Sequence, residues 1–213
     1  MNKNYWNDEY WKNALEEHKG EKLDFIDDIW LLKYEDILKK VNIGKALDLG
    51  CGLGQYTKFL IDYGFSTISA DISNDILEKV KLNNPNTEII NLDMSKKLPF
   101  PDNSFDLVFA NLSIHYFDTE TTEKLLIEIR RILKNDGYFI GSVNSSKTYE
   151  FIKDVAKMIE PNYYLEDNKR YVRLWDKEQF DYFFKDFKID ILEEIETSRW
   201  NKVKIMWEFI VHK

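Results

Sequence analysis

Three glycines, Gly50, Gly52 and Gly54, crowd the turn in "KALDLGCGLGQYTKFL" (45–60), and an acid, Asp48, stands just ahead of them. A backbone that bare lets a ligand approach the main chain closely. A second acid, Asp71, follows about 20 residues after the glycines, where a carboxylate can accept hydrogen bonds from both ribose hydroxyls of a nucleotide. A third, Asp93, follows after one more βα-sized interval, in reach of an exocyclic adenine amine. The order of glycine backbone, ribose acid and adenine-side acid suits either a dinucleotide or something smaller and positively charged. The dinucleotide fingerprint has its third glycine one residue later, where this chain has Gln55. Taken singly, each feature has a plainer use: a tight turn for the glycines, a helix N-cap for Asp71, a loop cap for Asp93. Cys51 is a small residue that fits the turn, with no sequence partner to activate it as a nucleophile.

These residues need elements that bring them to one edge, and the chain supplies strands and helices in alternation. Strands are expected at 45–50, 65–73, 87–93, 105–114 and 138–145. Helices are expected at 56–64, stopped by Gly64, and at 74–84 and 119–137, the last stopped by Gly137. Such alternation with short loops argues a parallel sheet covered on both faces. Right-handed crossovers then gather the strand C-termini on one edge, where ligands of such sheets bind. That rule selects Gly50–Gly54, Asp71, Asp93 and Asn111–Tyr116. After residue 145 the rhythm changes. A helix is expected over 147–160 and another near 176–185, and 188–200 with 202–213 alternate like two antiparallel strands joined around Arg199–Lys202. Two aromatic helical pieces, around Tyr5–Glu17 and Asp24–Lys40, precede the first strand.

Composition bounds the rest. The chain has 213 residues, 44% of them apolar and 15% aromatic, which suits one packed domain with a substantial core. Its formal net charge of −8 makes it a poor general binder of nucleic acid or anionic membrane. No apolar run is long enough to span a bilayer, and the N-terminus does not read as a secretory signal. One cysteine forms no internal disulfide, which fits a reducing cytoplasm. The abundance of Lys, Asn and Ile points to an AT-rich, bacterial coding sequence. No His, Asp or Glu cluster has metal-ligand spacing, so no metal is expected.

Four stretches together, "LDLGCGLG", "SADIS", "NLDMSKKLPFPDNSFDLVFANLSIHYF" and "LLIEIRRILKNDGYFIGS", resemble the Rossmann-like (class I) S-adenosylmethionine-dependent methyltransferases, in their small-molecule (type 11-like) branch. The resemblance covers about residues 44–145. It implies a doubly wound α/β fold with a seven-stranded, mostly parallel sheet whose last strand is antiparallel. It also implies one domain over 1–213: an N-terminal helical cover (1–40), a cofactor-binding core (44–145), a substrate-side insertion (146–185) and a C-terminal strand pair (186–213). By the same resemblance, S-adenosylmethionine would lie against Asp48, Gly50, Cys51, Gly52 and Gly54. Asp71 would hold its ribose and Ile72 would pack on its adenine. Asp93 and Met94 would border the adenine, and Asn111 and Leu112 would meet the methionine end. A sulfonium cofactor is cationic and has no pyrophosphate, so acids at this edge are welcome.

Methyl transfer needs alignment of an acceptor lone pair with the methyl–sulfur axis, and a base only if the acceptor is protonated. His115, beside the site, is the candidate base, with Tyr116 next to it; both could equally be pocket wall. The chain lacks the Pro-containing motif after strand four found in many nucleic-acid amine methyltransferases. It lacks a Pro-Cys nucleophile as well. A small-molecule acceptor is therefore expected, with no nucleic-acid or membrane partner, on a monomer or homodimer. Tyr10, Trp11, Tyr164, Arg173 and Trp175 are the candidate acceptor-binding residues, through stacking and paired hydrogen bonds, or else they pack a cover over the sheet. The competing class is a non-catalytic S-adenosylmethionine-binding protein or sensor.

Overall fold

The computed structural model describes residues 29–197 and 203–213. A 3-10 turn at Trp30–Tyr34 runs into the short helix α1 (Glu35–Leu38). Then β1 (Lys45–Leu49), α2 (Gln55–Asp62), β2 (Ser66–Asp71), α3 (Asn74–Asn83), β3 (Glu88–Asn91) and β4 (Phe105–Asn111) alternate. Helix α4 (Thr119–Ile132) leads directly into β5 (Leu133–Asn144). After the one-turn helix α5 (Tyr149–Ile152) come β6 (Ala156–Glu160), β7 (Tyr163–Glu166) and β8 (Tyr171–Arg173). Helix α6 (Lys177–Phe183) and strands β9 (Lys188–Thr197) and β10 (Lys204–His212) complete the described chain.

The main sheet has seven strands in the order β3-β2-β1-β4-β5-β10-β9. β1 to β5 are mutually parallel, and β10 lies antiparallel between β5 and β9. Strand order reverses between β1 and β4, so both strands end at the place where this class of sheet receives ligands. Each face has its own apolar layer. One contains Leu47, Leu49, Val108, Val143 and Phe209 under α4 and α6. The other contains Ala46, Phe109, Ile140 and Ile210 under α2 and the 29–41 segment. The doubly wound α/β architecture expected from the alternation is the one observed. No described helix is long and apolar enough to cross a membrane.

Local chemistry explains the boundaries. Asp118 caps α4 by accepting from the Thr121 N–H at 2.8 Å, and Leu125, Leu126, Ile129 and Ile132 form its buried stripe. That stripe ends at Ile132, and the chain turns extended at Leu133, which pairs with Phe105. The helix therefore stops five residues before Gly137, which lies within β5.

The larger correction concerns 147–160, expected as one helix. Only Tyr149–Ile152 is helical, and Ala156–Glu160 is the edge strand of a second sheet, order β6-β7-β8. The two residues Pro161 and Asn162 turn β6 into β7, with Asn162 at φ +60°, a conformation that asparagine tolerates. The apolar residues that suggested a helix, Phe151, Val155, Met158 and Ile159, are exposed, so no buried helical stripe exists there. The expected helix near 176–185 and the antiparallel pair at the C-terminal end are present; the connection at 198–202 and the piece at 5–17 lie outside the described residues.

Gly141 shows how tightly β5 sits. A Cβ there would meet the Ala110 carbonyl oxygen at 2.4 Å and Phe209 Cζ at 2.7 Å. Gly141→Ala is expected to lower unfolding free energy by about 1–3 kcal/mol, read as a lower urea midpoint at unchanged m-value. An unchanged midpoint would show that β5 and Phe209 yield without cost.

Candidate active site

The glycine turn is left-handed at all three glycines, with φ of +77° at Gly50, +50° at Gly52 and +82° at Gly54. Side chains rarely adopt these angles. Space forbids them too: a Cβ on Gly50 would meet Ser113 Cβ at 2.5 Å, and one on Gly54 would meet Val80 Cγ2 of α3 at 3.0 Å. The turn's amides are satisfied by the neighbouring strand. The Ala70 carbonyl accepts from the N–H groups of Gly50 (2.8 Å) and Cys51 (3.0 Å), and Asp71 Oδ2 accepts from the Gly52 N–H at 3.1 Å. Asp71 Oδ1 accepts from the Ser73 N–H at 3.0 Å, an Asx-turn leading into α3. Each Asp71 oxygen thus keeps a second lone pair, one for each hydroxyl of a ribose. Burial raises the Asp71 pKa, opposed by its backbone hydrogen bonds.

Asp48 points off the sheet toward α2. Its Oδ2 accepts from Thr57 Oγ1 at 2.7 Å; Thr57 Oγ1 lies 2.8 Å from Ser69 Oγ, which lies 3.3 Å from Thr87 Oγ1. The carboxyl is 2% exposed, and burial pushes its pKa up to about 7, with Asp71 adding to the rise. Asp48 therefore anchors the start of α2 through a buried hydroxyl chain, and its negative charge acts on the turn from beneath. The Cys51 thiol is pushed well above its ordinary range by burial first, then by Asp48 and Asp71, so it is no nucleophile.

The ends of the next strands close the rim. Ile72, Asp93, Met94, Asn111 and Leu112 are all half-buried, each presenting part of its surface at this edge. Asp93 Oδ1 accepts from Ser95 N (3.1 Å) and Ser95 Oγ (2.6 Å), which shapes the loop after β3. Leu112 holds φ +51°, a strained angle for leucine, while its N–H donates to the Ser142 carbonyl at 3.0 Å. Asn111 Oδ1 accepts from Trp30 Nε1 (3.1 Å) and Ser142 Oγ (2.6 Å).

His115 is 1% exposed and packs at a tilt against Tyr116, ring centroids 4.3 Å apart. Its Nε2 lies 3.3 Å from Asn144 Nδ2. An amide nitrogen only donates, so Nε2 accepts and the neutral ring carries its proton on Nδ1. Burial, then Arg170 and Lys204, hold the pKa well below the histidine range. A buried neutral ring with its proton on Nδ1 can act as a hydrogen-bond donor, which favours the pocket-wall alternative over the base. Nδ1 is buried and finds no protein acceptor among the described residues.

In the insertion the structure favours the packing alternative. Arg173 is 1% exposed; its guanidinium donates to the Phe117 carbonyl (3.2 Å) and Thr119 Oγ1 (3.1 Å) and pairs with Glu160. Trp175 is fully buried against Phe180, Phe183 and Phe184. Tyr164, 7% exposed, packs on Tyr149. These three side chains are buried in packing contacts. Arg173 and Tyr163 together clamp the loop that carries His115: Tyr163 OH donates to the Tyr116 carbonyl at 3.3 Å, beside the Arg173 contact to Phe117. Tyr10 and Trp11 lie outside the described residues. Among the described residues no group of three or more His, Cys, Asp or Glu could hold a metal ion. Ser142, Asn144 and Trp30, which complete the wall around Asn111 and His115, carry no local sequence signal. Glu208, at the same level, does: a charge in the middle of "IMWEFIV".

A family described as a methyltransferase domain matches residues 47–141, the span from β1 to β5 that builds this edge. The chain carries a Rossmann-like, S-adenosylmethionine-dependent methyltransferase domain. Relatives of the methyltransferase domain occur in longer proteins. The human mitochondrial arginine-hydroxylase NDUFAF5 is 37% identical over 110 residues, 50% of this chain and 30% of that protein. An uncharacterized Methanocaldococcus jannaschii protein is 37% identical over 123 residues, 55% of this chain and 50% of its own length. The chain spans half or less of the length of the curated relatives it matches. Among solved structures, a Pyrococcus horikoshii protein covers 88% of this chain and 92% of its own at TM-score 0.68 and 26% identity. A Burkholderia thailandensis N1-methyltransferase, solved with S-adenosylhomocysteine and 1,6-didemethyltoxoflavin, shares the fold at TM-score 0.66 and 15% identity, covering 95% of this chain and 86% of that one.

The residues present fit S-adenosylmethionine. The two free lone-pair positions on Asp71 suit a ribose diol, and the bare turn admits close approach. The buried carboxylate of Asp71, with the partly ionised Asp48 behind it, favours a cation where a pyrophosphate would be repelled.

Two tests address the electrostatics. The Asp48 pKa is raised on folding from an ordinary value of about 3.9, so the folded state holds this proton more tightly. Its contribution to stability is then full below about pH 4 and is lost as pH rises toward about 7. Asp48→Asn is expected to remove that decline, seen as a flatter plot of urea midpoint against pH between those limits; a parallel plot would place the carboxyl in solvent. For His115, nitrogen-15 NMR of labelled imidazole is expected to show the Nδ1–H tautomer with no titration near about pH 6.5. A midpoint there would restore the base.

Proposed function

We propose that this chain transfers a methyl group from S-adenosylmethionine to a small-molecule acceptor, with residues 1–213 acting as one domain in the cytoplasm. The observation that carries the reading is the Asp71 carboxylate. It closes the three-glycine turn through Gly52 while keeping one lone pair on each oxygen at the end of β2. The cofactor supplies, when bound, a methyl group on a sulfonium sulfur that leaves as a neutral thioether.

The chain's own contribution is placement. The glycine turn and Asp71 fix the nucleoside end, and the Asn111–Leu112 corner fixes the reacting end against β5. His115, a neutral donor, orients the acceptor through Nδ1–H without taking its proton. That suits an acceptor attacking with a lone pair already free at neutral pH, such as an uncharged amine or a thiolate, where proximity supplies most of the rate. A small molecule is favoured by the acidic net charge of −8, which repels nucleic acid. The relative named as an arginine-hydroxylase is a reason to assay the transferred methyl group itself rather than to infer it from cofactor binding.

The first experiment is calorimetric titration with S-adenosylhomocysteine, with NAD as control. Binding of the first alone is expected. Asp71→Ala is expected to weaken it by about ten- to a hundredfold, the loss of hydrogen bonds worth roughly 1.5–3 kcal/mol each. A change under about threefold would reduce Asp71 to a turn residue. Methyl-labelled S-adenosylmethionine with an acceptor panel then reads transfer; label confined to the cofactor with every acceptor would favour a non-catalytic binder.

A further inference from the structure

The sheet face under the 29–41 segment changes character at the site edge. One row across four strands, set by the pairings Phe109–Ile140, Ile140–Ile210 and Ile210–Ile191, is wholly apolar. The next row on that face, two residues and about 7 Å along, is Asn111, Ser142, Glu208 and Glu193. It begins at the proposed methionine-end residue and runs away from it, level with the strand ends.

Glu208 is the anomaly in this row. It is 0% exposed in an interior strand, where an aliphatic residue would be free of desolvation cost. Its Oε2 accepts from Tyr34 OH at 3.2 Å and pairs with the Lys33 ammonium. Its Oε1 is buried with no partner among the described residues. Glu193, directly opposite on β9, draws on the same two groups, accepting from Tyr34 OH at 2.9 Å with Lys33 at 3.5 Å. Two carboxylates therefore share one ammonium, among the described residues. Another buried polar atom with no partner among the described residues, His115 Nδ1, belongs to a ring whose Nε2 meets Asn144, two residues along β5 from Ser142 and on the same face. Two unsatisfied groups, one negative and one a neutral donor, bracket the polar row.

We infer that the acceptor lies along this row and carries a cationic nitrogen, an ammonium or guanidinium, that binds Glu208. This rests on the methyltransferase reading for the word acceptor, and on the row alone for the cation. Lys33 shows that the carboxylate takes an ammonium in this setting; the partnerless Oε1 and the second carboxylate leave an acceptor atom and a charge for another. A neutral or anionic compound would leave Oε1 without a partner and the second of the two carboxylates without a counter-charge, which is where selectivity comes from. The methylated atom is then a different one, since a protonated nitrogen has no lone pair to give.

The test uses the intact chain saturated with S-adenosylhomocysteine and three probes of matched size: 2-phenylethylamine, 2-phenylethanol and 3-phenylpropionate. Calorimetry is expected to show the amine binding at least about tenfold more tightly than the other two. Glu208→Gln is expected to erase that preference at unchanged S-adenosylhomocysteine affinity. Equal binding of the three probes, no binding of the amine, or a preference that survives Glu208→Gln would each overturn the proposal. If Glu208→Gln does not fold, Glu193→Gln replaces it, and a preference left intact there overturns the proposal while a weakened one supports it. Failure of S-adenosylhomocysteine to bind would count against the methyltransferase reading instead, and the amine titration on the cofactor-free chain would still decide the fate of Glu208.

Discussion

The turn after β1 cannot stand by itself. Its three leading amides, Gly50, Cys51 and Gly52, find their acceptors on β2, two of them at the Ala70 carbonyl and one at Asp71. An unpaired buried amide costs about 1–3 kcal/mol, so the shape of the turn depends on the parallel pairing of β1 with β2. The same contact orients the Asp71 carboxylate, and α3 then packs Val80 against Gly54. Ser113 extends the arrangement to β4, donating to the Leu49 carbonyl at 2.7 Å. One strand end is thus built from its neighbours, which is why the chemistry collects where four strands stop together.

This half of the molecule was readable in the sequence because its signals are local. Glycines two apart, an acid at each strand end and apolar runs of strand length specify the turn, the edge and the alternation without long-range information. The insertion was misread because its apolar residues are exposed: a rule that equates apolar spacing with burial sees a helix in 147–160 where there is a bulged edge strand. The Pro161-Asn162 pair was the available clue to a hairpin. Side-chain roles were hardest. Arg173 and Trp175 have the chemistry of ligand-binding residues and of packed cover residues alike, and only their burial favours the second. The tautomer of His115 is set by Asn144, 29 positions away, and no local pattern encodes it.

The buried Arg173 shows what the insertion contributes. Desolvation lowers its pKa and costs stability, offset by Glu160, two carbonyls and a threonine hydroxyl. The guanidinium also lies over the rings of Tyr163 and Phe183, at 5.2 and 5.4 Å from their centroids. An ion held from so many directions fixes one geometry of the 115–118 loop against β8, so the position of the His115 ring relative to β5 is inherited from a sheet outside the matched family region.

Trp30 reaches Asn111 across 81 positions, and Tyr34 reaches Glu208 across 174. β10 is an interior strand of the sheet, so β9 has no place in the sheet until β10 has been made. During synthesis the glycine turn and its first strands emerge early and hold most of their contacts among themselves. The cover over Asn111 keeps its Asn111 bond from that stage but waits for β10 to complete its anchorage. Until β10 is made, the apolar row of Phe109 and Ile140 has no Ile210 neighbour and the wall beyond Ser142 has no Glu208.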